Sequence, residues 1–255
     1  MVDRAHSVLR LIASTPTPEP LKRGVEHLDR LRSHGREALA FARQASLIHR
    51  DFGPVLPPRV SRGDHVVVLL HGLFATAGVM RPLRARIERE TGAHTASFSY
   101  IPGPGVAHVA LGLAELVDQL PLGVHLHLVG HSFGGVVVRY FVQELGGAER
   151  VQQTISLGSP FGGTEHARLM PTTVGRDIEP GSPVLERLRQ RAAQVSVPHL
   201  SISAVDDVVV TGPTHLPELG DHVVLPNCGH NGLLFDPRAA ELVVQRIQQR
   251  RDACA

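Results

Sequence analysis

The chain has 255 residues, of which 42% are hydrophobic and 20% charged, and its formal net charge is +2. That length and balance fit one large α/β domain, or one domain with a short extension. So small a charge, carried by scattered arginines and the single lysine Lys22, gives no argument for a nucleic-acid partner, no DNA- or RNA-recognition motif is seen, and no nucleic acid is expected to bind.

In chain order, the opening "MVDRAHSVLRLIASTPTPEP" makes a poor secretory leader. Arg10 interrupts its apolar patch and Asp3 weakens its positive lead. No apolar run approaches the ~20 residues needed to cross a bilayer, so the cytoplasm is the default expectation. The spacing of Val25, Leu28, Leu31, Leu39, Ala42 and Leu47 predicts a helix from Val25 to about His49. Its apolar stripe is expected to pack on the main domain; a membrane-surface or substrate-covering helix is the sharper alternative. "DFGPVLPPRVSRGD" then reads as a linker, since Pro54, Pro57 and Pro58 exclude regular structure. Residues 1–62 are therefore taken as an extension and 63–255 as the main domain.

From Asp64 the pattern becomes strand–helix alternation. Strands are predicted at 65–71, 94–100, 123–130, 151–158, 198–204 and 221–226. Helices are predicted at 79–91, at 106–120, after Gly134, near Val184 to Ala193, and at 232–251. Continuous apolar strands between helices imply a mostly parallel sheet of about six strands, covered on both faces.

In such a sheet the reactive groups collect at the carboxyl ends of the strands. What stands there is "HGLF" after the first strand, Ser132 after the third and "GSPFGG" after the fourth. Asp206 follows the fifth strand, and His230 the sixth. "GHSFG", Gly130 to Gly134, fits G-x-S-x-G between a strand and a helix. The glycines have a physical reason: a sharp strand-to-helix turn lifts the serine Oγ clear of the backbone, and side chains at Gly130 and Gly134 would collide across it. The helix behind adds a field that favours developing negative charge.

A serine hydroxyl needs a base, and the base needs an orienting acid. The order serine, acid, histidine is met by Ser132, then "SAVDDVVV", then "NCGHNGLLF". Asp206 and Asp207 both follow the fifth strand. Asp206 is preferred because the valines after it would begin to pack back under the sheet, leaving Asp207 as a solvated or hydrogen-bonding neighbour. His230 alone follows the last strand and precedes the final helix. The oxyanion formed on attack needs prearranged donors, expected from the backbone N–H groups of Leu73 and Phe133.

Other polar residues carry less. His125 and His127 share a strand face, but without a third ligand they read as packed or hydrogen-bonded. His71 reads as support for the loop that follows it. Cys228 and Cys254 have no metal-type spacing and are expected as free thiols.

Together these motifs resemble the α/β-hydrolase superfamily, and within it the bacterial triacylglycerol lipases and related esterases. "VVLLHGLF" is similar to their oxyanion segment, "LVGHSFGGVVVRYF" to their elbow and "SLGSPFGGTEHA" to the stretch after the next strand. "IEPGSPVLERL" is similar to a cap segment, and "CGHNGLLF" to the histidine loop of small, nearly lidless lipases. The resemblance spans about Asp64 to Arg251. It implies hydrolysis of a carboxylic ester through an acyl-serine intermediate: Ser132 attacks, His230 carries the proton and Asp206 orients it. It requires no metal or organic cofactor.

A short cap is expected at about 161–197, over an open acyl site lined by residues such as Phe74, Phe161, Leu169, Met170 and Leu233. Phe133 is a further lining candidate. A small-molecule or lipid ester is the expected partner, with peripheral contact at a membrane or lipid interface open and oligomeric state unread. The same triad would serve acyl transfer, or amide or thioester hydrolysis; a non-catalytic binding module is the remaining alternative.

Overall fold

The computed structural model describes residues 19–253, with side chains from residue 33 onward. The leader reading, most of the "STPTPEP" segment and Cys254 lie outside the described residues.

Six strands form one sheet: β1 (His65–Leu70), β2 (His94–Ser97), β3 (His125–His131), β4 (Val151–Leu157), β5 (His199–Ala204) and β6 (Gly220–Leu225). Their order is β2-β1-β3-β4-β5-β6, and every neighbouring pair is parallel. Among the described residues there are seven α-helices: α1 (Glu19–Leu47), α2 (Arg81–Thr91), α3 (Val106–Asp118), α4 (Phe133–Glu144), α5 (Thr173–Asp177), α6 (Pro183–Arg191) and α7 (Pro237–Asp252). None is long and apolar enough to cross a membrane.

The apolar strand runs are buried on both faces because each face has its own helical layer. Alternate residues divide between them, as period-two geometry requires. Val66, Val68 and Leu70 join Leu126 and Leu128 in a core with α3 and α4. Val67 and Leu69 join Val129, Ile155 and Ile202 in a second core with α2 and α7. Helix ends follow local chemistry. Asp236 caps α7 by accepting from Arg238 N–H, with Pro237 at the first helical position. That cap splits the predicted final helix, and Asn231–Leu234 forms a separate 3₁₀ turn before it.

The second strand ends at Ser97, short of the predicted Tyr100. Ser97 is held by an isolated antiparallel bridge to Val55, and Ser99 Oγ is engaged by Asp51 and Ala77, which draws the chain out of the sheet.

Helix α1 docks differently from the expectation. Of the expected stripe, Leu47 packs against the second core, but Leu39 is 70% exposed and Ala42 also faces outward; the side chains of Val25, Leu28 and Leu31 lie outside the described residues. The face turned to the domain carries Ser33, Glu37, Ala40 and Gln44, followed by Ile48 just past the helix end, with Ser33 and Ala40 buried. The reason is polar: Ser33 Oγ donates to Asp206 Oδ2 at 2.7 Å, and the Glu37 carboxylate accepts from the backbone of Asn231 and Gly232. Hydrogen bonds have set the helix rotation here, where periodicity alone follows the leucines.

The sheet order reverses between β1 and β3. The crevice at their carboxyl ends is therefore the place where loops diverge and leave an opening. Leu73 and Ser132 stand on its two sides.

Candidate active site

Ser132 follows β3 and occupies the position just before α4. Its backbone sits at φ 53° and ψ −124°, outside the comfortable regions for a side-chain-bearing residue and costing of order 1–3 kcal/mol. The fold overdetermines it. Ser132 N–H donates to Leu157 O at 2.8 Å, and Gly135 N–H to Ser132 O at 3.0 Å. The two outer glycines serve different contacts. A Cβ on Gly130 would collide with the Gly134–Gly135 backbone, whereas one on Gly134 would come 2.6 Å from His71 O on the neighbouring strand end.

His230 and Asp207 meet through Nδ1 and Oδ2 at 2.7 Å, both side chains almost wholly buried. Asp207 Oδ1 accepts from Val209 N–H at 2.9 Å and Val210 N–H at 2.8 Å. That turn fixes the carboxylate at the apex of the loop after β5. The expected acid, Asp206, does not reach His230; its carboxylate is taken by Ser33. The premise behind that choice fails as well, since Val208 is 60% exposed and does not pack under the sheet. Behind the pair, Gly158 at the end of β4 has φ 58°, and a Cβ there would stand 3.3 Å from both Asp207 Oδ2 and His230 Nδ1.

Two further histidines brace the site. His71 Nδ1 donates to Gly72 O at 2.7 Å, Tyr100 N–H donates to its Nε2, and Tyr100 Oη donates to His71 O. A peptide unit is planar and trans, so pulling the Gly72 carbonyl one way aims the Leu73 N–H the other way. Burial holds the His71 pKa down at about 4, which keeps the ring neutral as both bonds need. His131 Nε2 donates to the His230 carbonyl at 3.2 Å, and burial beside His230 lowers its pKa to about 3. The strand that carries Ser132 therefore also holds the histidine loop.

Phe133 is the first residue of α4, where an N–H has no preceding turn to bond and lies in the positive field of the helix end. Leu73, Ser132 and His230 line one cavity of about 410 Å³. Its apolar walls come from Phe41 and Ile48 of the amino-terminal region, Phe74, Met170 and Ile178. Of the predicted lining residues, Phe74 and Met170 are there. Phe161 and Leu233 are core residues at 2% and 1% exposure, and Leu169 is 79% exposed to solvent. Phe161 packs edge-on against His199, and Leu233 turns inward under the strand ends. Phe133 is likewise core, so only its backbone is available.

His127 at the opposite end of the sheet bonds His65 and Gln153, as expected of a packed histidine. Cys228 is a buried free thiol. Sequence reasoning missed Glu37, Ser33 and the bracing bond of His131, because all three act across long chain separations. The paired "DD" was the only signal that pointed to Asp207.

A family model described as palmitoyl protein thioesterase matches residues 66–197, just over half of the chain. No curated protein matches it. Among solved structures, the chain is similar to a mature lipase of Bacillus licheniformis, BlEst2, at 14% identity and a TM-score of 0.62, covering 76% of this chain and 97% of that one. It is similar to a Paleococcus ferrophilus monoacylglycerol lipase at 14% identity and 0.59, with the same coverage. Est1E from Butyrivibrio proteoclasticus follows at 15% and 0.55, over 79% of this chain and 92% of that one. At these identities the likeness is one of fold, that of the α/β-hydrolases.

Proposed function

The chain belongs to the palmitoyl protein thioesterase family, and on that premise we propose that it is a serine hydrolase cleaving carboxylic esters through an acyl-serine intermediate. The observation that carries this is the strained Ser132 sharing one cavity with His230, whose Nδ1 is bonded to Asp207. Ser132 Oγ attacks the acyl carbon while His230 Nε2 takes its proton. The Asp207 carboxylate holds Nδ1–H and stabilises the imidazolium. The negative charge on the former carbonyl oxygen is met by the N–H groups of Leu73 and Phe133. Collapse expels the alcohol, which takes the proton from His230. A water molecule then repeats the sequence on the acyl-serine, releasing the acid and restoring Ser132.

The apolar walls and the exposed Phe41 and Phe74 at the rim support a lipid-like acyl group, and contact with a lipid surface there. A second cavity of about 560 Å³ shares Ile48 and Phe74 with the first, which supports a chain longer than a few carbons. In this reading residues 63–255 form the hydrolase, and residues 1–62 form an extension whose helix supplies part of the wall. Thioester cleavage is the second reading, favoured by the matching family model; only the leaving group changes.

The test is hydrolysis of p-nitrophenyl esters from acetate to palmitate, and of palmitoyl-coenzyme A, by wild type and Ser132→Ala. Turnover that disappears with Ser132→Ala supports the reading. Activity that survives it removes Ser132 as nucleophile.

A further inference from the structure

His230 immediately precedes the 3₁₀ turn Asn231–Leu234, and the opening N–H groups of such a turn have no acceptor within it. A residue at the cap position usually supplies one through its side chain. His230 supplies none, because its Nδ1 is committed to Asp207. The missing acceptor comes from nearly 200 residues away. Glu37 Oε1 accepts from Asn231 N–H at 2.8 Å and from Asn231 Nδ2 at 2.8 Å, and Oε2 accepts from Gly232 N–H at 2.9 Å. Three donors on one ionised carboxylate are charge-assisted bonds, the stronger kind.

Two independent features indicate that this contact is built into the fold. Helix α1 is anchored on either side of Glu37 by Ser33 Oγ on Asp206 and by Arg43, whose guanidinium lies 4.8 Å from the Phe235 ring centre. Arg36 Nη1 adds a bond to Asn227 O at 3.2 Å. Opposite the carboxylate stands Gly229, where a Cβ would come within 2.7 Å of Glu37 Cδ. The histidine loop has left the room that this side chain fills.

We propose that Glu37 is a positioning residue for His230: its carboxylate pins the two amides after the histidine and so holds the imidazole between Asp207 and Ser132. The proposal rests on the reading of His230 as the base. With it, His230 is fixed at three points: its side chain by Asp207, its carbonyl by His131 and its following amides by Glu37. The amino-terminal helix is thereby part of the catalytic apparatus as well as a wall of the cavity.

The experiment combines steady-state kinetics on p-nitrophenyl butyrate with amide hydrogen exchange over the Asn227–Phe235 segment, using the full chain. A small shift of a catalytic group costs on the order of 100-fold in rate, and Glu37→Ala is expected to lose about 10- to 100-fold in kcat with KM nearly unchanged. Exchange at Asn231 and Gly232 should rise in the same variant. Glu37→Gln should fall between, since its amide oxygen can serve one N–H while its NH₂ opposes the other. Gly229→Ala, which displaces the carboxylate without removing it, should reproduce the Glu37→Ala loss and add under about twofold in a Glu37→Ala background.

An unchanged kcat in Glu37→Ala beside an active wild type overturns the proposal, as does a loss confined to KM. A full second loss from Gly229→Ala in that background also overturns it. A wild type with no turnover on any ester would instead sink the hydrolase reading itself, whatever the exchange data showed. If Glu37→Ala fails to fold, Glu37→Gln and Gly229→Ala carry the same comparison.

Discussion

Asp207 Oδ2 lies 2.7 Å from His230 Nδ1, while the carboxylate of its chain neighbour Asp206 is occupied by Ser33 Oγ at the same distance. One bond holds the imidazole that shares a cavity with Ser132, and the other ties down helix α1. The two adjacent acids thus have separable tasks, and exchanging each for its amide should separate them.

Asp207→Asn should lower kcat by roughly 10⁴, because an amide no longer enforces the Nδ1–H tautomer or steadies the imidazolium. Asp206→Asn keeps an acceptor for Ser33 and should cost less than about threefold. Parallel kinetics on one soluble ester decide the matter. The reverse ranking would return the acid's role to Asp206.

Gly158 presses on the same pair from behind. Alanine there adds a Cβ 3.3 Å from both His230 Nδ1 and Asp207 Oδ2, at a φ of 58° that disfavours any side chain. The backbone alone should cost about 1–2 kcal/mol of stability. A fall in kcat larger than the lost folded fraction is also expected. Chemical denaturation beside kinetics would show both, and a fully active, equally stable Gly158→Ala would contradict the crowding.

The cavity wall makes a prediction about chain length. Ile48 borders both the cavity at Ser132 and its neighbour, so Ile48→Trp should block passage between them. Turnover of palmitate esters should drop by about 10-fold or more, in line with ~1–3 kcal/mol for ill-fitting apolar groups, while butyrate turnover is spared. Equal loss on both substrates would mean that the acyl chain takes another route.

Buried histidines make stability depend on pH. His71 is held at about 4, and His127 and His131 at about 3, chiefly by burial. In the unfolded chain each titrates near ~6.5. Between those limits the unfolded state binds more protons, so stability is fully present above pH ~6.5 and falls as pH falls, by up to ~1.4 kcal/mol per pH unit for each ring. Tm measured from pH 8 to pH 4 should decline steeply below pH 6.5, and His127→Gln should flatten the slope. A level Tm down to pH 4.5 would refute this.

Much of this molecule is legible in the order of its residues. "HVVVLL" and "HLHLVGH" alternate between two buried layers because strand geometry has a period of two, and that pattern alone implies a covered parallel sheet. The Gly130–Gly134 pentapeptide announces a turn that only small residues permit, and it locates Ser132. These features are local, carried by the backbone and by nearest neighbours along the chain.

The choice between Asp206 and Asp207 is not local. Both follow the same strand, and what separates them is the turn bonded to Val209 and Val210 together with a serine 173 residues away. The rotation of α1 is of the same kind. Leu39 and Ala42 lie outward because the bonds of Glu37 and Ser33 outweigh a modest apolar stripe. The positions of Phe161, Leu169 and Leu233 depend on how the loops close over the strand ends. Periodicity records which side of an element is apolar; which partner a polar side chain finds is settled only when distant segments meet.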